Sequence, residues 1–351
     1  MKAVIFRKHS PDLDVYDVVD DMPVPEINPD EVLIKVHYSA LNRLDDWVRK
    51  GWPGLNLELP HIPGSDFAGE IAELGENVRG WEKGQLVTGN PTLFCGQCYY
   101  CLQGNHHLCE NFSIVGEHVR GACAEYMKLP ARNLIAIPPG VDLKLVAAGN
   151  LVTLTAWRNL IVDGGLRPNE TVLIVGAGGG VNMMALQLAK LAGAKVWVVA
   201  SNEWKAQKAR ELGADWVIDR SQESNWAKAV WRKSNRRGVD VVVDNVGQAT
   251  WGSSLRALGK HGRLLTVGGT TGYKAEVPVN LIFARQQRII GSTMGNMDDA
   301  YNAFQLIFSG QITPVIDSVW PLEQYVAALQ KMLRGEHFGK LVIDVLQATE
   351  V

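Results

Sequence analysis

Cys95-Gly-Gln-Cys98-Tyr-Tyr-Cys101, followed by Cys109, places four thiols within fifteen residues, close enough to surround one ion tetrahedrally. With all four positions filled by thiolate, no coordination site is left for water or substrate. The spacing therefore predicts one structural zinc that fastens an otherwise coreless lobe at about 95–109 and does no chemistry. An iron–sulfur cluster is the nearest rival, because Cys-x-x-Cys-x-x-Cys also opens the bacterial ferredoxin run, but here the fourth cysteine is too distant and no proline follows it. Cys123 stands apart and reads as a small buried hydrophobe. Five cysteines are too few for a disulfide framework in a chain of 351 residues, which points to a reducing, cytoplasmic setting.

A second constellation lies in Thr171-Val-Leu-Ile-Val-Gly176-Ala-Gly178-Gly179-Gly180-Val181-Asn182, where an apolar strand runs into glycines and then a helix. Backbone N–H groups of Gly176, Gly178, Gly179, Gly180 and Val181, with the helix N-terminus behind them, suit a dinucleotide pyrophosphate. The strict GxGxxG spacing fails, so the reading leans on the alternating strands and helices around the loop. NAD-specific sheets end the second strand with an acid about 20 residues after the glycines, to bind the ribose. Ser201 stands there instead, with Lys205 nearby, a pair that suits a 2′-phosphate and favours NADPH over NADH. The competing reading makes Ser201 a helix cap and Lys205 a solvated charge, and Glu203 weakens the local positive field. Asn245, Val246 and Gly247, then Gly268 and Gly269, follow buried strands at the carboxyl edge where such sheets bind ligand.

The elements that must hold these residues follow from length and pattern. At ~150 residues per domain, 351 residues suggest two domains, and 46% hydrophobic against 21% charged residues is a globular balance. Lysine plus arginine total 35 against 37 aspartate plus glutamate, so no field favours nucleic acid or an acidic membrane and the partner is a small molecule. The N-terminus carries charges throughout and lacks a signal-peptide stretch; the uncharged run 171–189 is broken by glycines and changes period, so it reads as strand, turn and helix. Up to about residue 140, short runs at 3–6, 32–38, 67–74 and 85–88 punctuated by Pro and Gly predict a β-rich module. Beyond it, runs at 172–175, 196–200, 216–218, 239–244 and 264–267 read as buried parallel strands. Helical segments near 183–191, 203–212, 223–233 and 250–258 alternate with them, which predicts a doubly wound α/β sheet. Two helical stretches, 298–309 and 322–334, and a strand at 340–345 complete the chain and are placed to rejoin the first module.

With these features the chain resembles the medium-chain dehydrogenase/reductase superfamily, which holds zinc alcohol dehydrogenases and zinc-independent quinone and enoyl reductases. The likeness spans nearly the whole length and is carried by Leu59-Pro-His-Ile-Pro-Gly-Ser-Asp-Phe-Ala-Gly-Glu70, the cysteine lobe, Val239-Asp-Val-Val-Val-Asp-Asn-Val-Gly247 and Gly339-Lys340. It implies a GroES-like β-rich catalytic domain at 1–152, a Rossmann NAD(P)-binding domain at 153–294, and a return segment at 295–351 that completes the first domain. It further implies a homodimer or homotetramer paired through the cofactor-sheet edge near 288–294. The resemblance also marks a departure: where the alcohol dehydrogenases keep two cysteines and a histidine for a catalytic zinc, this sequence offers Asn42, Ser65 and Leu151. Only Asp66 remains there as a metal donor, and one carboxylate does not make a zinc site.

A catalytic zinc stabilises a developing alkoxide by several kcal/mol, whereas reduction of a conjugated double bond or quinone spreads the charge over an oxygen that hydrogen-bond donors can stabilise. The expected activity is therefore NADPH-dependent reduction of a small electrophile. A metal-using alcohol dehydrogenase and a nonenzymatic NADPH-binding protein stay open as alternatives. Asn42 is the first candidate to orient the nicotinamide or donate to the substrate oxygen, since its amide has two donors and no metal affinity. By its position in the resemblance Thr155 faces the nicotinamide ring or phosphates; Lys340 reads either as reaching a cofactor phosphate or as a surface cation, and Asp45, His61 and Tyr38 are candidate proton donors, a task water would serve equally well.

Overall fold

A computed structural model of the chain describes residues 1–346. Two compact units divide it: Met1–Leu154 together with the segment from Gly295 onward, and Thr155–Met294.

The first unit is built on a seven-stranded sheet. Ile316–Pro321 runs parallel to Lys340–Asp344, which pairs antiparallel with Glu31–Ala40; Asp66–Leu74, Leu86–Gly89 and Leu134–Ala136 follow in order, and Tyr126–Pro130 also pairs with Glu31–Ala40. Alternate residues of these strands, among them Ile34, Phe67, Ile71, Leu129 and Ile343, meet Phe6, Tyr325 and Leu329 in the main core. Two register relations set up the chemistry. Ala40 lies opposite Asp66, and Ala40 also lies opposite Val342, so continuing that pairing by two residues brings Lys340 opposite Asn42. Leu41 N–H donates to the Leu341 carbonyl at 2.9 Å and locks the register. The chain then turns into the helix Arg43–Lys50, which the sequence pattern did not mark; Asp45 reaches back to the Asn42 N–H at 2.7 Å and so ties down its first turn.

The second unit is a six-stranded, all-parallel sheet in the order Trp216–Asp219, Lys195–Ala200, Thr171–Val175, Val239–Asp244, Leu258–Thr266, Arg288–Gly291. Counted along the chain this is 3-2-1-4-5-6, and the order reverses between Thr171–Val175 and Val239–Asp244, the switch point at which such sheets bind dinucleotides. The helix expected over 223–233 starts at Trp226 because the Asn225 side chain caps it. The strand expected at 264–267 is longer, Leu258–Thr266, because its first half pairs with Val239 before a register shift. Arg288–Gly291 is an edge strand with Ile289 exposed, an open ladder of the kind that pairs with another chain.

Among the described residues, one helix, Leu143–Asp163, is long and apolar enough to cross a membrane by length and composition, and 72% of its apolar window is buried within the protein. The uncharged run at 171–189 forms a strand, a glycine turn and part of the helix Gly180–Leu191.

Candidate active site

Asn42, Asp66 and Lys340 form one buried network. The Lys340 ammonium donates to Asn42 Oδ1 and to Asp66 Oδ2, both at 2.7 Å, and Asn42 Nδ2 donates to the same carboxylate oxygen at 2.8 Å. Asp66 Oδ1 accepts the Leu151 N–H at 2.7 Å. Exposure is 2% for Lys340, 0% for Asp66 and 7% for Asn42, so the charges survive burial only because each is matched by an opposite charge or a dipole. Two of the three ammonium protons are committed to these contacts, which leaves one N–H.

Lys340, expected at a cofactor phosphate, stands at the head of the strand that lies beside Ala40, and its short contacts are with Asn42 and Asp66. These residues do not fit a catalytic zinc. The Asn42 carbonyl is occupied by an ammonium, the Leu151 side chain has no donor atom, and Ser65 contributes a buried hydroxyl without a partner among the described residues. A monovalent cation belonging to the protein itself stands where a divalent one would need an open ligand shell.

Asp45 is fully buried, its two oxygens accepting the backbone N–H groups of Asn42 at 2.7 Å and Gly64 at 3.1 Å. Burial pushes its carboxyl up to about 7 against the opposing pull of those N–H groups. Its contacts make it the brace that fixes Asn42 and Gly64. His61 is likewise packed: burial pushes it down to about 4, and Nε2 lies 3.1 Å from the Gly116 carbonyl.

In the cysteine lobe the four Sγ atoms lie within 4.8 Å of one another, and both Cys95–Cys101 and Cys98–Cys109 are 3.9 Å apart. A tetrahedron of Zn–S bonds of ~2.3 Å has edges of about 3.8 Å, so the cage is already at zinc dimensions. Backbone N–H groups of Glu110 and Cys101 hold the Cys98 thiol down to about 6, favouring the thiolate, while burial pushes Cys101 up to about 12. His106 is not a ligand; its ring stacks on Phe94 with centroids 3.9 Å apart. It is the one group of metal-ligating side chains found among the described residues.

In the second unit the glycine loop follows Val175 directly. Gly176 has φ +98°, which an L side chain rarely adopts, and a Cβ on Gly179 would meet nothing, so the backbone is open for close approach. Gly180 starts the helix and Gly179 caps it. Asn182 is the residue that sequence reasoning passed over. Its Nδ2 donates to the carbonyls of Val175 and Gly176, both at 2.8 Å, and its Oδ1 accepts from Asn245 Nδ2 at 2.9 Å. Asn245 Oδ1 in turn accepts the Val267 N–H at 2.8 Å. Two amides thus tie three strand ends into one edge, and the available signal was a polar side chain buried in the first turn after the glycines. Asn182→Leu is expected to weaken dinucleotide binding about tenfold and to cost ~1–3 kcal/mol of stability, because it strands buried carbonyls. Titration of cofactor fluorescence and chemical denaturation check both.

Asp244 accepts from Val246 N–H, Gly247 N–H, Thr250 Oγ1 and Ser254 Oγ, and so shapes the turn that presents Asn245–Gly247. The Thr266 hydroxyl donates to the Gly268 carbonyl at 3.1 Å in the neighbouring turn. Thr155 is buried, its hydroxyl 4.0 Å from Met294 Sδ. Ser201 directly follows its strand, but the helix cap is Asn202, which accepts the Lys205 N–H at 2.9 Å, so Ser201 is not used as a cap. The Lys205 ammonium lies 5.8 Å from the Trp204 ring centre. The backbone N–H of Arg220 donates to the Ala200 carbonyl at 3.0 Å, and Asp219 lies opposite Ala200 at the same strand end.

Two family models match the chain: an alcohol dehydrogenase GroES-like domain over residues 28–139 and a zinc-binding dehydrogenase over residues 180–309. The chain is 32% identical to an NAD-dependent alcohol dehydrogenase of Saccharolobus solfataricus, across 93% of this chain and 95% of that one. It is 30% identical to an acryloyl-coenzyme A reductase of Sulfurisphaera tokodaii, across 93% and 95%. A crystal structure of an NAD-dependent alcohol dehydrogenase superposes with a TM-score of 0.94 at 37% identity, covering 98% of this chain and all of the other.

Proposed function

We propose, from the premise that this chain belongs to the medium-chain dehydrogenase/reductase superfamily and is therefore an oxidoreductase, that it delivers hydride from a reduced nicotinamide dinucleotide to an activated C=C bond or a quinone. The observation that supports this most directly is the Lys340 ammonium, held 2.7 Å from both Asn42 and Asp66 where the family's metal-using members would need an empty ligand shell. Hydride arriving at the far carbon of a conjugated carbonyl moves negative charge onto the oxygen. A buried ammonium with one uncommitted N–H stabilises that oxyanion by charge and by hydrogen bond. Asp66 and Asn42 keep the ammonium aimed, and Asp45 keeps Asn42 in place. A single donor of this kind contributes about 3–4 kcal/mol, enough for an enolate or hydroquinone and well short of what a simple alkoxide needs.

The cofactor reading is NADPH ahead of NADH, resting on Ser201, which stands where NAD-specific sheets carry an acid, and on Lys205 nearby, against the weaker opposing charges of Glu203 and of Asp219 opposite Ala200. The relatives' names favour NAD, so the two dissociation constants must be compared directly. One structural zinc sits with Cys95, Cys98, Cys101 and Cys109 in this proposal, and the Arg288–Gly291 edge pairs two copies. The decisive assay is oxidation of NADPH and NADH with quinones, enals, enones and enoyl thioesters, set beside oxidation of primary and secondary alcohols with added zinc. Turnover with conjugated substrates alone is expected. The names of the alcohol dehydrogenase relatives favour the second reading, and zinc-stimulated alcohol oxidation without any conjugate reduction would establish it instead.

A further inference from the structure

A cleft of about 360 Å³ opens in the second compact unit where the parallel strands begin, beside Glu170, Asp240 and Arg288. The glycine loop and Asn245–Gly247 lie at the opposite, carboxyl edge of the same sheet. The five residues of Thr171–Val175 separate the two edges by on the order of 15 Å, so the cleft is no part of the dinucleotide site.

A bulge builds one wall. Val239 pairs with Leu258 and Val241 with Arg263, so Asp240 alone faces the four residues from Gly259 to Gly262, and the surplus is thrown out of the ladder. His261 takes φ +58° there, a conformation that a residue other than glycine keeps only where its surroundings impose it. Lys260 and His261 thereby stand on the cleft wall.

The floor is a closed ion pair. Buried Arg263 donates Nη1 and Nη2 to the two Glu170 oxygens at 2.9 and 2.7 Å, Nη2 to the Gly165 carbonyl at 3.0 Å, and Nε to the Gly164 carbonyl. The other two acids of the cleft are also committed. Asp240 accepts the Thr171 N–H at 2.8 Å and an Arg237 N–H at 3.4 Å, and Asp163 pairs with Arg158 at 3.0 Å. Arg167, Lys260 and Arg288 remain, and among the described residues their side chains make no hydrogen bond or ion pair. The chain as a whole carries a net charge of −2, so this excess of cations is local. Three like charges around one concavity repel one another until an anion joins them, and guanidinium forks match phosphate and carboxylate oxygens.

We propose that this cleft is a second ligand site, which takes a small multivalent oxyanion, a polyphosphate or a tricarboxylate, through Arg167, Lys260 and Arg288. The Arg263–Glu170 pair holds its floor. The site stands whichever substrate the enzyme reduces.

Calorimetric titration of the zinc-loaded full chain with sodium tripolyphosphate and, separately, with citrate tests this. Oxidised dinucleotide is present at saturation to occupy the glycine loop, and zinc content is checked before and after. At least one of the two anions is expected to bind, one per chain, and to bind about tenfold more weakly at ~300 mM than at ~50 mM salt. The tighter of the two identifies the source of the charge. Lys260→Gln/Arg288→Gln is expected to weaken binding about 10–30-fold while leaving the melting temperature and dinucleotide affinity unchanged, since both side chains are exposed. Lys8→Gln/Lys83→Gln, which removes the same charge from exposed positions of the other compact unit, should weaken it by less than about twofold. A wild type that binds neither anion overturns the proposal, and so does binding that Lys260→Gln/Arg288→Gln retains or that the distant pair loses equally.

Discussion

Replacing Lys340 with methionine is expected to lower kcat/KM for conjugated substrates by about 10²–10³-fold and to destabilise the protein by about 3–5 kcal/mol. The rate falls because the developing oxyanion loses its only cationic donor in the network. Stability falls for a different reason: Asp66, fully buried, is left as an uncompensated charge. The two effects separate in the double variant Lys340→Met/Asp66→Asn, in which the amide still offers an oxygen to the Leu151 N–H and no charge is stranded. Most of the stability should return and the rate should not. Denaturant titration and steady-state kinetics on both proteins decide it; a methionine variant within about threefold of wild type would mean that the ammonium is a structural ion pair and nothing more.

Cys98→Ser is expected to release the zinc and collapse the lobe around it. Apparent zinc-binding free energies of about 10–16 kcal/mol are folding energy for such lobes. Here the local core is little more than Phe94, Cys101 and Cys109, with Phe112 and Met297 against them, so no other burial can replace the ion. Zinc content should drop from one per chain towards zero, and limited proteolysis should open the segment around 95–109. Dinucleotide binding should persist, since the glycine loop and its asparagine ties belong to the other compact unit. A serine variant that keeps its zinc and its resistance to protease would contradict the assignment.

How much of this was legible in the sequence depends on how local each signal is. The cysteine cage was readable because its ligands lie within fifteen residues, and spacing alone fixes their reach. The glycine loop was readable because strand, turn and helix are consecutive. The Lys340 network was not legible because its partner Asn42 is 298 positions away, and only the antiparallel register of two distant strands brings them together. At the sequence level a lysine opening a terminal strand resembles any surface cation. Asn182 was hidden for a related reason: a polar residue in an apolar helix looks like an interruption until its carbonyl partners are placed. The short helix Arg43–Lys50 escaped because five of its eight residues are charged, although Arg49 and Asp46 are in fact buried against each other at 2.5 Å.

What decides the account is where metal sits in the active, cofactor-saturated protein. Anomalous diffraction at the zinc edge, paired with metal analysis of the same crystals, should find one ion per chain, inside the four-cysteine cage, and Lys340 in contact with Asn42 and Asp66. A second ion among Asn42, Ser65 and Asp66, with the lysine displaced and activity rising with occupancy of that site, would contradict it.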